Sequence, residues 1–225
     1  MVTMQRPIAP LTSVISDLLD TSIAVVVRTS SSDGIVALAS AIANGGVKHI
    51  EITTTVPNAI DSIRAISENV GDRIHVGAGT VLDSMTAVTA IRAGARFIVS
   101  PILEPTVIDT AHQYGVPVIP GCLTPTEVAR ALKLGADCIK LFPGQVATPA
   151  YFRDLLGPFP SARLMPTGNV NRTTAPQYLA AGAIAVGVGK SIVEPSAFAA
   201  GDWETITLNA VEFLQLLHSA KGGSS

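Results

Sequence analysis

The sequence predicts an α/β fold of the (β/α)8 class, a TIM barrel with one extra N-terminal helix, and three observations predict it. Short β-rich segments recur along the 225 residues with starts about 20 to 26 residues apart, the length of one strand, one helix and two short loops. There are eight of them, at 23–28, 49–53, 75–80, 97–101, 117–121, 138–143, 163–168 and 183–189, and eight is the strand count of this barrel. The stretches between them carry helix signals, closing on glycine and opening on capping residues or proline.

Taken in order, 11–19 precedes the first strand and reads as a helix covering the barrel bottom. The Ala-rich stretch 34–46 ends in Gly45-Gly46, a helix stop. Residues 57–70 carry Ile60, Ile63 and Ile66 on one helical stripe. Helices at 84–94 and 105–115 each close on glycine. Thr124-Pro125-Thr126-Glu127 reads as a capping box with proline at the first helical position, opening a helix that runs to Gly135. Residues 149–156 and 174–182 repeat the pattern, and 207–221 supplies the eighth helix. The triplets Ala93-Gly94-Ala95, Leu134-Gly135-Ala136 and Ala181-Gly182-Ala183 each precede a strand, a weak internal repeat. The competing architecture, a doubly wound open sheet, usually has fewer strands, and no Gly-x-Gly-x-x-Gly opens the first helix. No linker of biased composition divides the chain, so the expectation is a single barrel domain over 1–225, with its core at about 20–220.

Composition narrows the function classes. Lys, Arg, Asp and Glu make up 14% of the chain and the net charge is −2. The 15 Lys and Arg are dispersed, which argues against a nucleic-acid partner. Aromatic residues are only 4%, too few for a base-stacking platform. The charge-free stretch between Arg172 and Lys190 is broken by polar residues and glycine and reads as helix, turn and strand, not a membrane span. Residues 1–10 lack the apolar core of a secretory signal. Cys122 and Cys138 lack disulfide-framework or metal spacing, and the four histidines form no cluster in sequence. A cytoplasmic protein, without membrane or metal, is the expectation.

In this fold function sits at the C-terminal ends of the strands. Lys140 lies inside the apolar strand Cys138-Ile139-Lys140-Leu141-Phe142-Pro143. If Ile139 and Leu141 face the helices, Lys140 faces the interior with Cys138 and Phe142. Burial disfavours the charged form of a lysine, and such an amine can attack a carbonyl to form a Schiff base. The structural alternative is a salt bridge with Glu51, which points inward by the same alternation in His49-Ile50-Glu51-Ile52-Thr53. Glu51 either neutralises Lys140 or moves protons through carbinolamine, imine and enamine. Thr167-Gly168-Asn169 and Gly187-Val188-Gly189-Lys190 end strands seven and eight, where this fold commonly cradles phosphate. Gly77-Ala78-Gly79-Thr80 either brings backbone close to a ligand or fits a tight barrel layer. Arg28 is either an anion ligand or a rim charge. The histidines read as structural or solvated, with His49 and His75 at strand starts.

With these residues in place, the chain resembles the 2-keto-3-deoxy-6-phosphogluconate (KDPG) aldolases and the related 4-hydroxy-2-oxoglutarate (KHG) aldolases. The resemblance is carried by Glu51-Ile52-Thr53, Gly77-Ala78-Gly79-Thr80-Val81, Phe97-Ile98-Val99-Ser100-Pro101, Pro120-Gly121-Cys122-Leu123-Thr124-Pro125-Thr126-Glu127, Lys140-Leu141-Phe142-Pro143-Gly144 and Pro166-Thr167-Gly168, over about 23–193. It implies a class I aldolase on a (β/α)8 barrel, metal-free and without a cofactor, assembled as a homotrimer. It puts the Schiff base on Lys140 and the general acid/base role on Glu51. It places Thr80 at the pyruvyl group, Pro101 and Phe142 along the pocket, Arg28 near the anionic groups and Thr167 at the substrate-binding rim. Phosphate binding would fall to Gly168, Asn169, Gly189 and Lys190.

The chain departs from the family pattern at three places. Many members carry an arginine four positions after the glutamate, where this chain has Thr55. The usual Gly-Gly after Thr167 reads Gly168-Asn169, and a small residue common in the phosphate loop is Lys190. These departures bear on the choice of 2-keto acid. The expected reaction is cleavage of 2-keto-3-deoxy-6-phosphogluconate to pyruvate and glyceraldehyde 3-phosphate. The alternatives are the same chemistry on 4-hydroxy-2-oxoglutarate or 2-keto-3-deoxy-6-phosphogalactonate, and a non-catalytic sugar-phosphate-binding or trimeric scaffold barrel.

Overall fold

The computed structural model describes residues 13–222; the reading of residues 1–10 and the first two positions of the expected N-terminal helix lie outside them. Strands and helices alternate along the chain except where two strands, and later two helices, follow one another. They run α1 (Ser13–Thr21), β1 (Ile23–Val27), α2 (Ile35–Asn44), β2 (His49–Thr53), α3 (Ala59–Val70), β3 (His75–Gly79), α4 (Ser84–Arg92), β4 (Ile98–Val99) and α5 (Pro105–Gln113). They continue through β5 (Val118–Ile119), β6 (Gly121–Cys122), α6 (Pro125–Lys133), β7 (Ile139–Leu141), α7 (Pro149–Leu156), β8 (Leu164–Pro166), α8 (Thr174–Ala180), β9 (Val186–Val188), α9 (Pro195–Ala200) and α10 (Trp203–Gly222).

Six strands form one parallel sheet in the order β5-β4-β3-β2-β1-β9, and three form another in the order β6-β7-β8. The α/β class is as expected, but the fifth expected strand is divided. Pro120 separates β5 from β6, and proline has no N–H to give to a ladder. The two sheets still meet in backbone contact. Lys140 N donates to Pro120 O at 2.9 Å, and Ile184 N donates to Leu164 O at 3.1 Å. Thr167 also makes an isolated parallel bridge with Gly187. The short helix α9 was not foreseen, and the last helix begins at Trp203 rather than at the expected 207. The capping box is present. The Thr124 hydroxyl accepts from Glu127 N at 3.3 Å, and Glu127 accepts from Thr124 N at 2.7 Å.

Strand alternation sorts the side chains into two cores. Val25, Ile50, Ile52, Val76, Ile98, Ile139, Leu141, Leu164 and Val186 pack outward against the helices. Ala24, Phe97, Val99, Ile119, Cys138, Met165 and Ala185 pack on the opposite face, where Val14 and Leu18 of α1 join them. α1 therefore closes the N-terminal ends of the strands. Each fully buried aliphatic side chain contributes roughly 1.5–3 kcal/mol, so helix and floor hold each other. Among the described residues no helix is long and apolar enough to cross a membrane.

A polar cluster sits where α1 meets β2 and β3. His49 is 1% exposed, and its Nε2 donates to Val14 O at 2.8 Å. The rings of His49 and His75 lie 5.0 Å apart. Asp17 of α1 joins His75 at 2.8 Å and Lys48 at 2.7 Å. Burial, reinforced by the positive charge His75 can carry, pushes His49 down to about 4 from 6.5. The unfolded chain therefore takes up a proton near pH 6.5 that the folded chain refuses until about pH 4. His49 costs nothing above that window and progressively more within it. Lys48 and His75 hold the Asp17 carboxyl below its ordinary range, so stability is lost through Asp17 too as the acid limb is descended. Urea unfolding measured from pH 7 to pH 4 should show a loss of up to about 3 kcal/mol from His49. His49→Gln, which keeps an N–H donor, should flatten that slope; an unchanged slope would assign the loss to other groups.

Candidate active site

β7 carries Lys140 between two residues that pack outward, Ile139 and Leu141, so its side chain points to the opposite face. There Nζ lies 3.8 Å from Glu51 Oε1 and 5.4 Å from the centre of the Phe142 ring. The Lys140 side chain is 6% exposed and that of Glu51 is 0%. β2 brings Glu51 into register with Val26 on one side and Gly77 on the other. Both of its carboxylate oxygens are buried, and neither accepts a hydrogen bond from the described residues. Removing two charges from water costs several kcal/mol each, which a single loose contact does not offset. A carboxylate and an amine kept this way are poised to exchange protons with whatever enters.

The glycines around the pair are spatial requirements. A Cβ on Gly79 would collide with Glu51 Oε1, and one on Gly77 would collide with the Phe97 ring. The small residues of β3 thus make room for the protein's own side chains. Gly187 does the same for Thr167, whose Oγ1 would meet a Cβ there. That hydroxyl is buried and has no hydrogen-bond partner in the protein.

A cleft of about 870 Å³ opens above the pair, within the range of small-molecule sites. Lys140, Phe142, Thr167 and Gly187 line it, as do Gly168, Asn169 and Gly189. Arg28 and Lys190, both exposed, stand on its wall as well. Among the described residues no acidic side chain lines the cleft; Glu51 touches it only through Lys140. With the exposed Arg28 and Lys190 and a wall of hydroxyls, amides and glycine backbone, the cleft suits an anionic ligand. Asn169 takes a left-handed backbone conformation with φ 56°, which asparagine tolerates better than most residues.

Of the residues singled out in the sequence, eight share this cleft: Arg28, Lys140, Phe142, Thr167, Gly168, Asn169, Gly189 and Lys190. Thr80 and Pro101 do not line it. Thr80 turns the chain out of β3 at φ 61°, and its carbonyl accepts the Thr54 hydroxyl at 2.9 Å. The Pro101 backbone lies against Gly121, too close for any Cβ there. Thr55 is exposed and its hydroxyl pairs with that of Thr53 at 2.9 Å. Sequence reasoning missed Ser30, Ser31, Gln145, Asn171 and Phe198, which also line the cleft. The first four lie in loops that follow strand ends, the only sequence signal that could have found them.

The cysteines take no part in this chemistry. Both are buried, and burial pushes each thiol up to about 12, far from the thiolate a nucleophile needs. Among the described residues no three His, Cys, Asp or Glu side chains form a group that could hold a metal ion.

Comparison with known proteins agrees in sequence and in shape. A sequence model of the KDPG and KHG aldolases matches residues 14–209. The 2-dehydro-3-deoxy-phosphogluconate aldolase of Treponema pallidum is 34% identical over 193 residues, 85% of this chain and 91% of that protein. A solved native KDPGal structure superposes with a TM-score of 0.83 at 30% identity, covering 89% of this chain and 96% of the other. The KDPG aldolase of Legionella pneumophila, with pyruvate captured at low pH as a covalent carbinolamine intermediate, superposes with a TM-score of 0.79 at 26% identity, covering 88% and 97%. With a relative at that identity over most of both chains and a family match spanning nearly all the described residues, this chain belongs to the KDPG and KHG aldolase family and is a carbon–carbon lyase.

Proposed function

We propose that this aldolase works through a Schiff base on Lys140, with Glu51 moving the protons, and cleaves 2-keto-3-deoxy-6-phosphogluconate. The observation that carries the proposal is the buried amine 3.8 Å from a carboxylate that accepts no hydrogen bond, at an acid-free cleft. The Legionella relative, with pyruvate bound as a carbinolamine, supports the same first step. A silent scaffold would gain from apolar residues at both positions. The two sheets are read as one closed (β/α)8 ring of a single domain over 1–225, supported by the backbone contacts at Pro120, Leu164 and Thr167.

In this mechanism the uncharged Lys140 amine attacks the C2 ketone. Glu51, carrying a proton when Lys140 is neutral, gives it, directly or through a water, to the ketone oxygen as the carbinolamine forms. It then takes one from the nitrogen and passes it to the departing hydroxyl, so that water leaves and a protonated imine remains beside the Glu51 carboxylate. The imine is the electron sink. The C4 hydroxyl gives its proton to the Glu51 carboxylate, directly or through a water, as the C3–C4 bond breaks; the electrons of that bond flow to the imine nitrogen and leave an enamine of pyruvate. The aldehyde half departs as glyceraldehyde 3-phosphate. Protonation of the enamine at C3 and hydrolysis of the imine release pyruvate and free Lys140. No metal is required, because the iminium does the polarising.

Substrate contacts fall to Arg28, Phe142 and Thr167, and the phosphate end to Gly168, Asn169, Gly189 and Lys190, all on the cleft. Without arginine at position 55, the carboxylate end relies on Arg28 and backbone N–H groups. Roles for Thr80 and Pro101 rest on the resemblance alone. Likeness to the KDPGal structure keeps the phosphogalactonate epimer as the second reading. The homotrimer is carried by the resemblance and fits the exposed Leu82, Met85 and Ile102, apolar side chains that an assembly would cover.

Three outcomes test the proposal. Pyruvate with borohydride should add a stable reduced adduct to the protein, absent in Lys140→Ala; no adduct in the unaltered protein would sink the Schiff-base reading. Glu51→Gln should lower kcat by about 10²–10⁴ while the protein stays folded, since the amide fills the same space. Lys190→Ala should raise KM for the phosphorylated substrate about 3- to 10-fold, in keeping with one exposed charge-assisted contact, and leave 4-hydroxy-2-oxoglutarate unaffected. Equal penalties on both substrates would remove Lys190 from the phosphate site.

A further inference from the structure

We infer that Tyr178, which does not touch the cleft, is a positioning residue that holds the cleft wall carrying Thr167 and Gly168 in its substrate-binding shape. The inference rests on the reading of the cleft as the aldolase site. Tyr178 lies in α8 and is 2% exposed. Its hydroxyl lies 2.9 Å from the carbonyl oxygen of Gly144 and 2.9 Å from that of Ala147. Those residues belong to the turn that leaves β7 directly after Phe142 and Pro143. Phe152 of α7 meets the Tyr178 ring edge-on at 6.0 Å, which fixes the direction of the hydroxyl.

The turn in turn holds the cleft. Gly144 N donates to Thr167 O at 2.8 Å. Gly144 also lies against Gly168 O so closely that no Cβ could be accommodated. A Cβ on Gly168 would come within 3.4 Å of the Phe142 ring, so the turn, the end of β8 and Phe142 are packed as one body. A phenol has a single proton for two buried carbonyls, which both lose their partner if it is removed. Burial pushes the Tyr178 hydroxyl above its ordinary pKa, so it remains a donor at working pH. Lys140 is held independently, by its own ladder bond to Pro120 O. The role of Tyr178 is therefore confined to the wall that receives the part of the substrate beyond the pyruvyl group.

The test is Tyr178→Phe, which keeps the ring and its contact with Phe152 and deletes one oxygen. KM for the complete phosphorylated substrate should rise about tenfold, the scale of one lost buried hydrogen bond, with kcat within about threefold. Borohydride trapping with pyruvate alone should proceed as in the unaltered protein. A fall in Tm with KM unchanged would make Tyr178 merely structural and overturn the inference. So would parallel losses of kcat and trapping, which would place its action on the lysine. Absence of trapping in the unaltered protein would instead defeat the reading of the site itself. If Tyr178→Phe does not fold, 3,5-difluorotyrosine at position 178 preserves every contact and lowers the phenol pKa. KM should then climb with alkaline pH in the substituted protein and not in the parent; superimposable profiles would overturn the inference.

Discussion

A lysine and a glutamate, each set in an apolar strand of a different sheet and brought together in the interior, constrain most of what surrounds them. Nζ and Oε1 are 3.8 Å apart, long for a hydrogen bond, and the carboxylate has no other protein partner. Such a pair is expensive, and the surrounding structure over-determines it. β2 and β7 hold it from opposite sides of the interior, and their outward faces are locked against the helices by Ile50, Ile52, Ile139 and Leu141. Phe142 shields the amine, and Gly79 is kept bare so that the carboxylate can occupy its place. A one-residue slip in either strand would exchange the charged residue for an isoleucine or leucine and drive a charge into the helix-facing core. The register of the sheet and the chemistry of the site are one requirement.

The two ends of the strands divide the work. At the N-terminal ends, α1 brings Asp17 and the Val14 carbonyl to His49, His75 and Lys48, and every ring has at least one partner. At the C-terminal ends, polar atoms are left without partners: both oxygens of Glu51 and the hydroxyl of Thr167. Buried polar groups are usually satisfied. Nδ1 of His49 and of His75 is unpartnered too among the described residues, but each of those rings is paired through its Nε2, whereas the Glu51 carboxylate accepts no hydrogen bond through either oxygen and is the group a ligand would satisfy.

Much of this was legible in the sequence, and the reasons differ by element. Lys140 and Glu51 stood out because strand alternation assigns a face to every residue, and a charge between two aliphatic residues in a charge-poor chain has few explanations. The capping box of α6 was legible because it depends on residues three apart in one segment. Pro120 was visible, but reading 117–121 as one strand overlooked that proline cannot donate to its neighbour, so the sheet divides there. The glycines of β3 were read as backbone approaching a ligand or as small packing residues; the second holds, since Gly77 and Gly79 yield to Phe97 and Glu51. α9 and the cleft contacts of Ser30, Gln145 and Phe198 lie in connections whose path is set by tertiary packing and not by local pattern. Thr80 and Pro101 follow the ends of β3 and β4 and are not among the residues that line the cleft.

Gly79 and Gly187 impose a further asymmetry. Any side chain acquired at either position strikes a buried polar group, Glu51 in one case and Thr167 in the other. The floor of the cleft is therefore closed to sequence drift. Its mouth is not: Arg28 and Lys190 are exposed and can be exchanged without disturbing a packed neighbour. A protein built this way diversifies by altering what it admits while keeping how it reacts.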